Sequence, residues 1–119
     1  MDPRLARGRD EFNSGNFFAA HEVWEELWVE TVGPEKRLVQ GLVQIAAGYA
    51  KVESGLRGGA LKLLSRGIGL LSEYLRSSTG LVLEPFVAAV GADIQRLQAT
   101  PDSAVSLITV QAPHLHVES

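Results

Sequence analysis

The stretch that decides the fold is residues 35–54, EKRLVQGLVQIAAGYAKVES. It follows Gly33-Pro34, a break whose proline suits the first turn of a helix, and it ends at Gly55. Its apolar residues are too many and too widely spread for one helical stripe: Leu38, Val39, Leu42, Val43, Ile45, Ala46, Ala47, Tyr49, Ala50 and Val52. We therefore predict a helix covered by its neighbours, at the centre of an all-α domain.

Breaks made of Gly, Pro and small polar residues predict four further helices, at about residues 3–13, 16–31, 60–76 and 85–97. Asn16 is expected to cap the second helix and Pro85 to open the fifth. Gly67 and Gly69 lie inside the fourth helix, where each costs up to about 1 kcal/mol relative to alanine. We therefore expect another helix to approach closely at both glycines. The prediction is a compact bundle of about five helices, with a single domain over residues 1–100.

Residues 101–119 are predicted to form an irregular C-terminal extension, either extended or mobile. Residues 105–110, VSLITV, favour a β-strand, but no second strand signal is present, so we expect no sheet within the chain. Such a strand and the glycines of the fourth helix would both suit contact with another copy of the chain. We therefore predict a homo-oligomer.

The composition excludes several classes of function. Among 119 residues there is no cysteine, which excludes disulfides and thiolate metal ligands. The net charge is -3, and the basic residues are scattered, so no nucleic-acid partner is expected. No run reaches the roughly 18 to 20 apolar residues of a membrane span, and no signal peptide is visible. We expect a cytoplasmic protein without a membrane partner.

A weak internal repeat links two of the predicted helix corners. Gly15 precedes Ala20 by five positions, as Gly55 precedes Ala60, and apolar pairs follow in both cases. The pattern resembles the helical hairpin of tetratricopeptide arrays, although two imperfect copies are too few for a solenoid. We interpret it as shared hairpin geometry. A tetratricopeptide-like scaffold that binds a peptide in a groove stays open as an alternative.

The densest polar cluster begins at His21 and reads HEVWEELW on the second helix. His21, Glu25 and Trp28 are spaced by four and then three residues, so they share one helical face, while Glu22 and Glu26 share the next. A histidine and a carboxylate one turn apart can ligate a divalent metal or act as an acid and base pair. The zinc-protease pattern His-Glu-x-x-His is not met, because Glu25 holds the second histidine position.

Two glutamines on the central helix extend this cluster. Gln40 and Gln44 lie one turn apart on a helix expected to be buried, where an amide without partners costs about 1 to 3 kcal/mol. His21 and Glu25 are the expected partners, in a polar cluster between the second and third helices. We favour a satisfied network with a small adjoining pocket, whose candidate ligand-binding residues are His21, Glu25, Trp28, Gln40 and Gln44.

One family shares this pattern. The residues are Phe12-Asn13-x-Gly15-x-Phe17-Phe18-x-Ala20-His21-Glu22-x-Trp24-Glu25-x-x-Trp28, then Gln40-Gly41-Leu42-Val43-Gln44, then Gly55 and Gly59-Ala60. They resemble the domain-of-unknown-function family numbered 309, over roughly residues 12–71. The resemblance implies a compact helical bundle and no established activity. The resemblance also implies a histidine, present in many relatives, near the positions held here by Ala50 and Lys51; this chain lacks it, which weakens any scheme that needs a second histidine from the third helix.

Three functions are compatible with these residues. The leading hypothesis is a small binding or interaction domain, for a small molecule or a protein, with a polar pocket between helices two and three. The second is a metal-dependent enzyme, hydrolytic in type, that uses His21 with Glu22 or Glu25 as metal ligands. The presence of only one histidine in this polar cluster favours the first, because most catalytic zinc sites take three protein ligands. The third is the tetratricopeptide-like scaffold.

Overall fold

The computed structural model describes residues 2–77 and 79–118. It contains five α-helices, which are α1 Pro3–Asn13, α2 Phe17–Glu30, α3 Glu35–Glu53, α4 Arg57–Leu71 and α5 Leu83–Ala99. Two 3₁₀ segments, Ser72–Tyr74 and Asp102–Gln111, and two short strands, β1 Leu81–Val82 and β2 His116–Val117, complete it. The predicted all-α bundle with an irregular C-terminal tail is confirmed. Within the described residues, no helix is both long and apolar enough to cross a bilayer.

Helix α3 lies at the centre, as its sequence predicts. It packs against α2, α4 and the 3₁₀ segment Asp102–Gln111. Its core side chains Leu42, Ile45 and Tyr49 have no exposed surface. One strip of α3 is covered less completely, because Gln40 and Gln44 and the apolar residues beside them are only partly buried. This strip forms the floor of the site described below.

The internal repeat corresponds to two turns of the same construction. Gly15 and Gly55 have φ of 83° and 75°, the left-handed conformation that glycine adopts without strain. The amide of Asn16 donates to the carbonyl of Glu11, and that of Leu56 to the carbonyl of Lys51, as in a Schellman motif. The prediction that Asn16 caps α2 is wrong for its side chain, which donates to the Glu11 carboxylate at 2.9 Å instead.

The crossing of α3 and α4 depends on glycine at one of the two predicted positions. A Cβ added at Gly67 would lie 2.5 Å from Ile45 Cδ1 and 3.1 Å from the Gly41 carbonyl oxygen, so the predicted close approach is confirmed there. At Gly69 the prediction is wrong, because among the described residues nothing outside its chain neighbours and its own helix backbone lies within 4 Å of the added Cβ. Helix α4 also ends at Leu71, earlier than predicted, and α5 begins before Pro85.

The tail differs from the sequence prediction in two respects. Residues 105–110 lie in a 3₁₀ segment that packs against α3 and buries Val105, so tertiary contacts override the local β propensity. The expectation of no sheet within the chain is also wrong. Strands β1 and β2 pair antiparallel, with Leu81 opposite Val117 and Val82 opposite His116.

The tail is fastened to the first helix. The Asn13 amide donates to the Leu115 carbonyl at 2.9 Å, and the Leu115 amide donates back to Asn13 Oδ1 at 2.8 Å. The side chain of Leu115 is buried in the same core as Phe12. Residues near both ends of the chain therefore contribute to one hydrophobic core.

Candidate functional site

A pocket of about 250 Å³ lies over the partly covered strip of α3, with α2 on one side and α4 on the other. Its floor comes from α3, because residues three and four apart share one helical face. Leu63 contributes from α4 and an α2 face supplies the rest. The lining residues are His21, Glu25, Trp28, Gln40, Val43, Gln44, Ala47 and Leu63. The structure thus brings together all five residues that the sequence indicates as ligand-binding candidates.

The polar atoms of this pocket are left largely unpaired. His21 Nε2 lies 3.1 Å from Glu25 Oε2, but the other ring nitrogen, Nδ1, is buried without a hydrogen-bond partner. The same holds for Trp28 Nε1 and Gln44 Oε1. Within residues 2–77 and 79–118, no protein group pairs with any of these three atoms. The predicted satisfied network is therefore wrong beyond the contact between His21 and Glu25.

Trp28, near the end of α2, is held in position by Lys36 at the start of α3. Lys36 Nζ lies 4.5 Å from the centroid of the Trp28 ring, within range of a cation–π interaction. The same ammonium donates to the carbonyls of Trp28, at 3.0 Å, and Thr31, at 3.2 Å, where the negative end of the helix dipole favours a cation. Trp24 has a different environment, because it is fully buried and its Nε1 donates to the Leu5 carbonyl.

Two of the three residues predicted as metal ligands line this pocket. Glu22 is exposed and does not line it, whereas His21 and Glu25 do. In the described part of the chain, no three His, Asp or Glu side chains are grouped so that they could hold a metal ion. A site made by His21 and Glu25 alone would offer fewer protein ligands than catalytic zinc sites use. Metal binding stays a prediction.

A carboxylate buried on α5, that of Asp93, was not predicted from the sequence. Asp93 has no exposed surface and accepts hydrogen bonds from the Tyr49 hydroxyl, at 2.5 Å, and from Arg96 Nε, at 3.1 Å. A sequence signal does exist. Asp93 interrupts the apolar stripe of α5 between Val90 and Leu97, where an acid needs a partner. This cluster ties α5 to α3 and lies outside the pocket lining.

Tyr49 should make the stability of the protein sensitive to alkaline pH. Burial, followed by the hydrogen bond to Asp93, raises the pKa of its hydroxyl above the ordinary value of 10.0. Above that pH the unfolded chain loses a proton that the folded chain keeps, so the free energy of unfolding falls by about 1.4 kcal/mol per pH unit from this group.

The test is denaturant unfolding at several pH values from about 9 to about 11, for the parent and Tyr49→Phe. The phenylalanine variant is expected to lose stability less steeply above about pH 10. Equal slopes for the two proteins would contradict the prediction.

A larger cavity of about 600 Å³ lies near the start of α1 and is a weaker candidate. Its most prominent polar group, the Arg4 guanidinium, donates to Glu30 Oε2 at 2.6 Å and pairs with Asp2. These hydrogen bonds raise the pKa of Arg4 and satisfy its charge. No buried unpaired atom of the described residues belongs to this cavity. The pocket over α3 is therefore the better candidate site.

The segment that matches a known family includes all residues that line the pocket. The sequence profile of the family described as Domain of unknown function (DUF309) matches residues 5–63, a segment that runs from α1 into α4 and includes every residue of the pocket lining. No curated protein and no solved structure matches the chain. The resemblance that rests on the His-Glu-x-Trp-Glu-x-x-Trp element is confirmed, because the profile of that family matches residues 5–63.

Proposed function

We propose that this protein is a binding module whose ligand occupies the pocket between α2, α3 and α4. The observation that supports the proposal is the presence of three buried polar atoms without partners on residues of one small pocket. Buried polar groups in folded proteins are almost always hydrogen-bonded, so each exception requires a physical explanation. A ligand that pairs with His21, Trp28 and Gln44 together explains all three.

The free-energy cost of unpaired buried groups also supports a binding site. A buried polar group without a partner costs about 1 to 3 kcal/mol, so three of them are a large fraction of the stability of a small domain. A cluster whose purpose was to stabilise the fold would be paired. Binding sites commonly combine an apolar lining with a few polar groups that fix the orientation of the ligand. Val43, Ala47 and Leu63 supply such a lining here.

A peptide-binding scaffold is the second candidate function. The two hairpins α1–α2 and α3–α4 share more than their turns. Gly8 lies against the ring of Trp24, as Gly48 lies against Leu64, and a Cβ at either glycine would come within 3 Å of that side chain. This likeness supports a tetratricopeptide-like construction, but the unpaired polar atoms favour the small pocket as the site. Self-association and a cytoplasmic location remain predictions from the sequence.

Substitution in the pocket tests the proposal through stability. Gln44→Leu removes a buried acceptor that has no partner, so the free energy of unfolding is expected to rise by about 1 kcal/mol. Gln95→Leu is the matched control, because Gln95 is exposed on α5 and its replacement should change stability by less than about 0.5 kcal/mol. Urea denaturation of the three proteins measures the difference. A loss of about 1 kcal/mol or more in Gln44→Leu would show that the amide stabilises the fold.

A metal titration separates the binding module from the metal-dependent enzyme. Zinc or manganese is added to the parent and to His21→Ala, and the melting temperature of each is recorded. The proposal expects no metal-dependent stabilisation of either protein. A zinc or manganese affinity that disappears in His21→Ala, with the melting temperature of the metal-free protein unchanged, would place the enzyme hypothesis first.

A further inference from the structure

We infer that the group bound in this pocket is a primary carboxamide, the –C(=O)NH₂ group, an inference that rests on the proposed binding function. The three unpaired atoms differ in their hydrogen-bonding roles. The indole Nε1 of Trp28 can only donate, and the amide oxygen of Gln44 can only accept. Their roles are fixed by their chemistry.

The role of His21 Nδ1 follows from its neighbour. The Glu25 carboxylate lies 3.1 Å from the other ring nitrogen, Nε2, and its negative charge favours a proton there. In the neutral ring Nδ1 then carries a lone pair and accepts. With a neutral His21 ring, the residues that line the pocket therefore carry one unpaired donor, on Trp28, and two unpaired acceptors, on His21 and Gln44.

A ligand that pairs with all three atoms needs one acceptor and two donors. A primary carboxamide has a carbonyl oxygen for Trp28 and two N–H groups for His21 and Gln44. A carboxylate offers only acceptors, and it would also be repelled by the negative charge of Glu25. An ammonium group offers only donors and would leave Trp28 unpaired. A dialkylated amide keeps the carbonyl but has no N–H group.

The apolar residues of the lining limit the chemical group that carries the carboxamide in the ligand. Val43, Ala47 and Leu63 line the same pocket of about 250 Å³, so a short aliphatic chain can pack beside the polar atoms. Propionamide is the minimal probe with this composition. Propionate and N,N-dimethylpropionamide are its matched controls, because each keeps the carbon chain and removes the N–H donors.

The two tryptophans provide a reporter and an internal control. Each indole N–H gives its own signal in a proton–nitrogen correlation spectrum of the labelled full chain, and the chain has 2 tryptophans. Propionamide is expected to shift the Trp28 signal saturably. The Trp24 signal should stay in place, because its indole is buried and already donates to Leu5. Propionate and N,N-dimethylpropionamide are expected to bind at least about tenfold more weakly.

Variants assign the effect to the pocket. Gln44→Leu is expected to weaken propionamide binding at least about tenfold, whereas Gln95→Leu should leave it unchanged. The Trp24 signal shows in the same spectra whether each variant is folded. Equal weakening by both glutamine substitutions would overturn the assignment.

The outcomes distinguish this inference from the proposed function. Propionate that shifts the Trp28 signal as effectively as propionamide would overturn the carboxamide, as would the absence of any response to propionamide. In both cases a Gln44→Leu variant more stable than the parent would leave the binding module intact. A less stable Gln44→Leu variant would contradict the binding module itself.

A capped peptide with a central glutamine and no other primary amide identifies the source of the carboxamide. If the peptide binds more tightly than propionamide, the group comes from a glutamine side chain of a protein. If propionamide binds and the peptide does not, the group belongs to a small solute. Either result supports the carboxamide as the chemical class.

Discussion

Asp93→Ala is expected to lower the free energy of unfolding by about 3 kcal/mol. The substitution removes the acceptor of the Tyr49 hydroxyl, which is buried and has no other partner among its hydrogen bonds in the described chain. It also opens a cavity where the carboxylate was. Arg96 is about half exposed, so water can replace its lost partner and it adds little to the cost. Urea denaturation near neutral pH measures the change.

Two further variants separate the causes. Asp93→Asn keeps an oxygen for Tyr49 and removes the charge, so its loss should be smaller, about 1 kcal/mol. Asp10→Ala removes an exposed carboxylate that pairs with Arg9 and should cost less than about 1 kcal/mol. A loss of less than about 1 kcal/mol in Asp93→Ala would contradict a stabilising role for the buried carboxylate.

Gly67→Ala and Gly69→Ala are expected to change stability in opposite directions, although the two residues lie in the same helix. Alanine at Gly67 would force its Cβ to within 2.5 Å of Ile45 and against the backbone of α3, so the free energy of unfolding should fall by about 2 kcal/mol. Alanine at Gly69 meets no atom of the described residues and should raise it by up to about 1 kcal/mol, because alanine favours the helix.

The difference between these variants measures the cost of separating α3 from α4, since the gain in helix propensity is the same at both positions. Thermal and denaturant unfolding of the two proteins, made side by side, provide the comparison. A stabilising Gly67→Ala would mean that α4 can shift away from Ile45 at little cost, and the structural reason for this glycine would be wrong.

The helices could be predicted because their determinants are local. Gly15 and Gly55 end helices through their backbone conformation, and the apolar pattern of residues 35–54 requires neighbours around α3. The packing around Gly69 could not be predicted in this way. A glycine inside a helix looks the same in sequence whether or not a neighbour packs on it, and only the crossing of α3 with α4 separates Gly67 from Gly69.

The tail was harder to predict because long-range burial decides its conformation. Residues 105–110 pack against α3 in a 3₁₀ conformation with Val105 buried, so contacts distant in the chain override their β propensity. The strand pair between Leu81–Val82 and His116–Val117 has only two residues on each side. So short a strand leaves no alternating pattern that a sequence can display.

The residues that line the candidate site could be predicted from the sequence, but their hydrogen-bond partners could not. Helical spacing places His21, Glu25 and Trp28 on one face of α2. It places the two glutamines on one face of α3, and the α2–α3 hairpin brings these two faces together. Whether Gln44 reaches a partner depends on side-chain geometry within a few tenths of an ångström. The buried hydrogen bond of Asp93 was not predicted, because its partner Tyr49 is 44 residues away and lies on a different helix.

The pair of hydrogen bonds between Asn13 and Leu115 has a consequence for the order of folding. It closes a loop of 102 residues, whereas the hairpins α1–α2 and α3–α4 are built from neighbours in the chain. Closing a long loop costs entropy that local contacts do not incur, so the hairpins can form before the tail is fixed. Contacts that form after the transition state govern how fast a protein unfolds. We therefore expect the hydrogen bonds that fasten the tail to α1 to slow unfolding and to have little effect on the rate of folding.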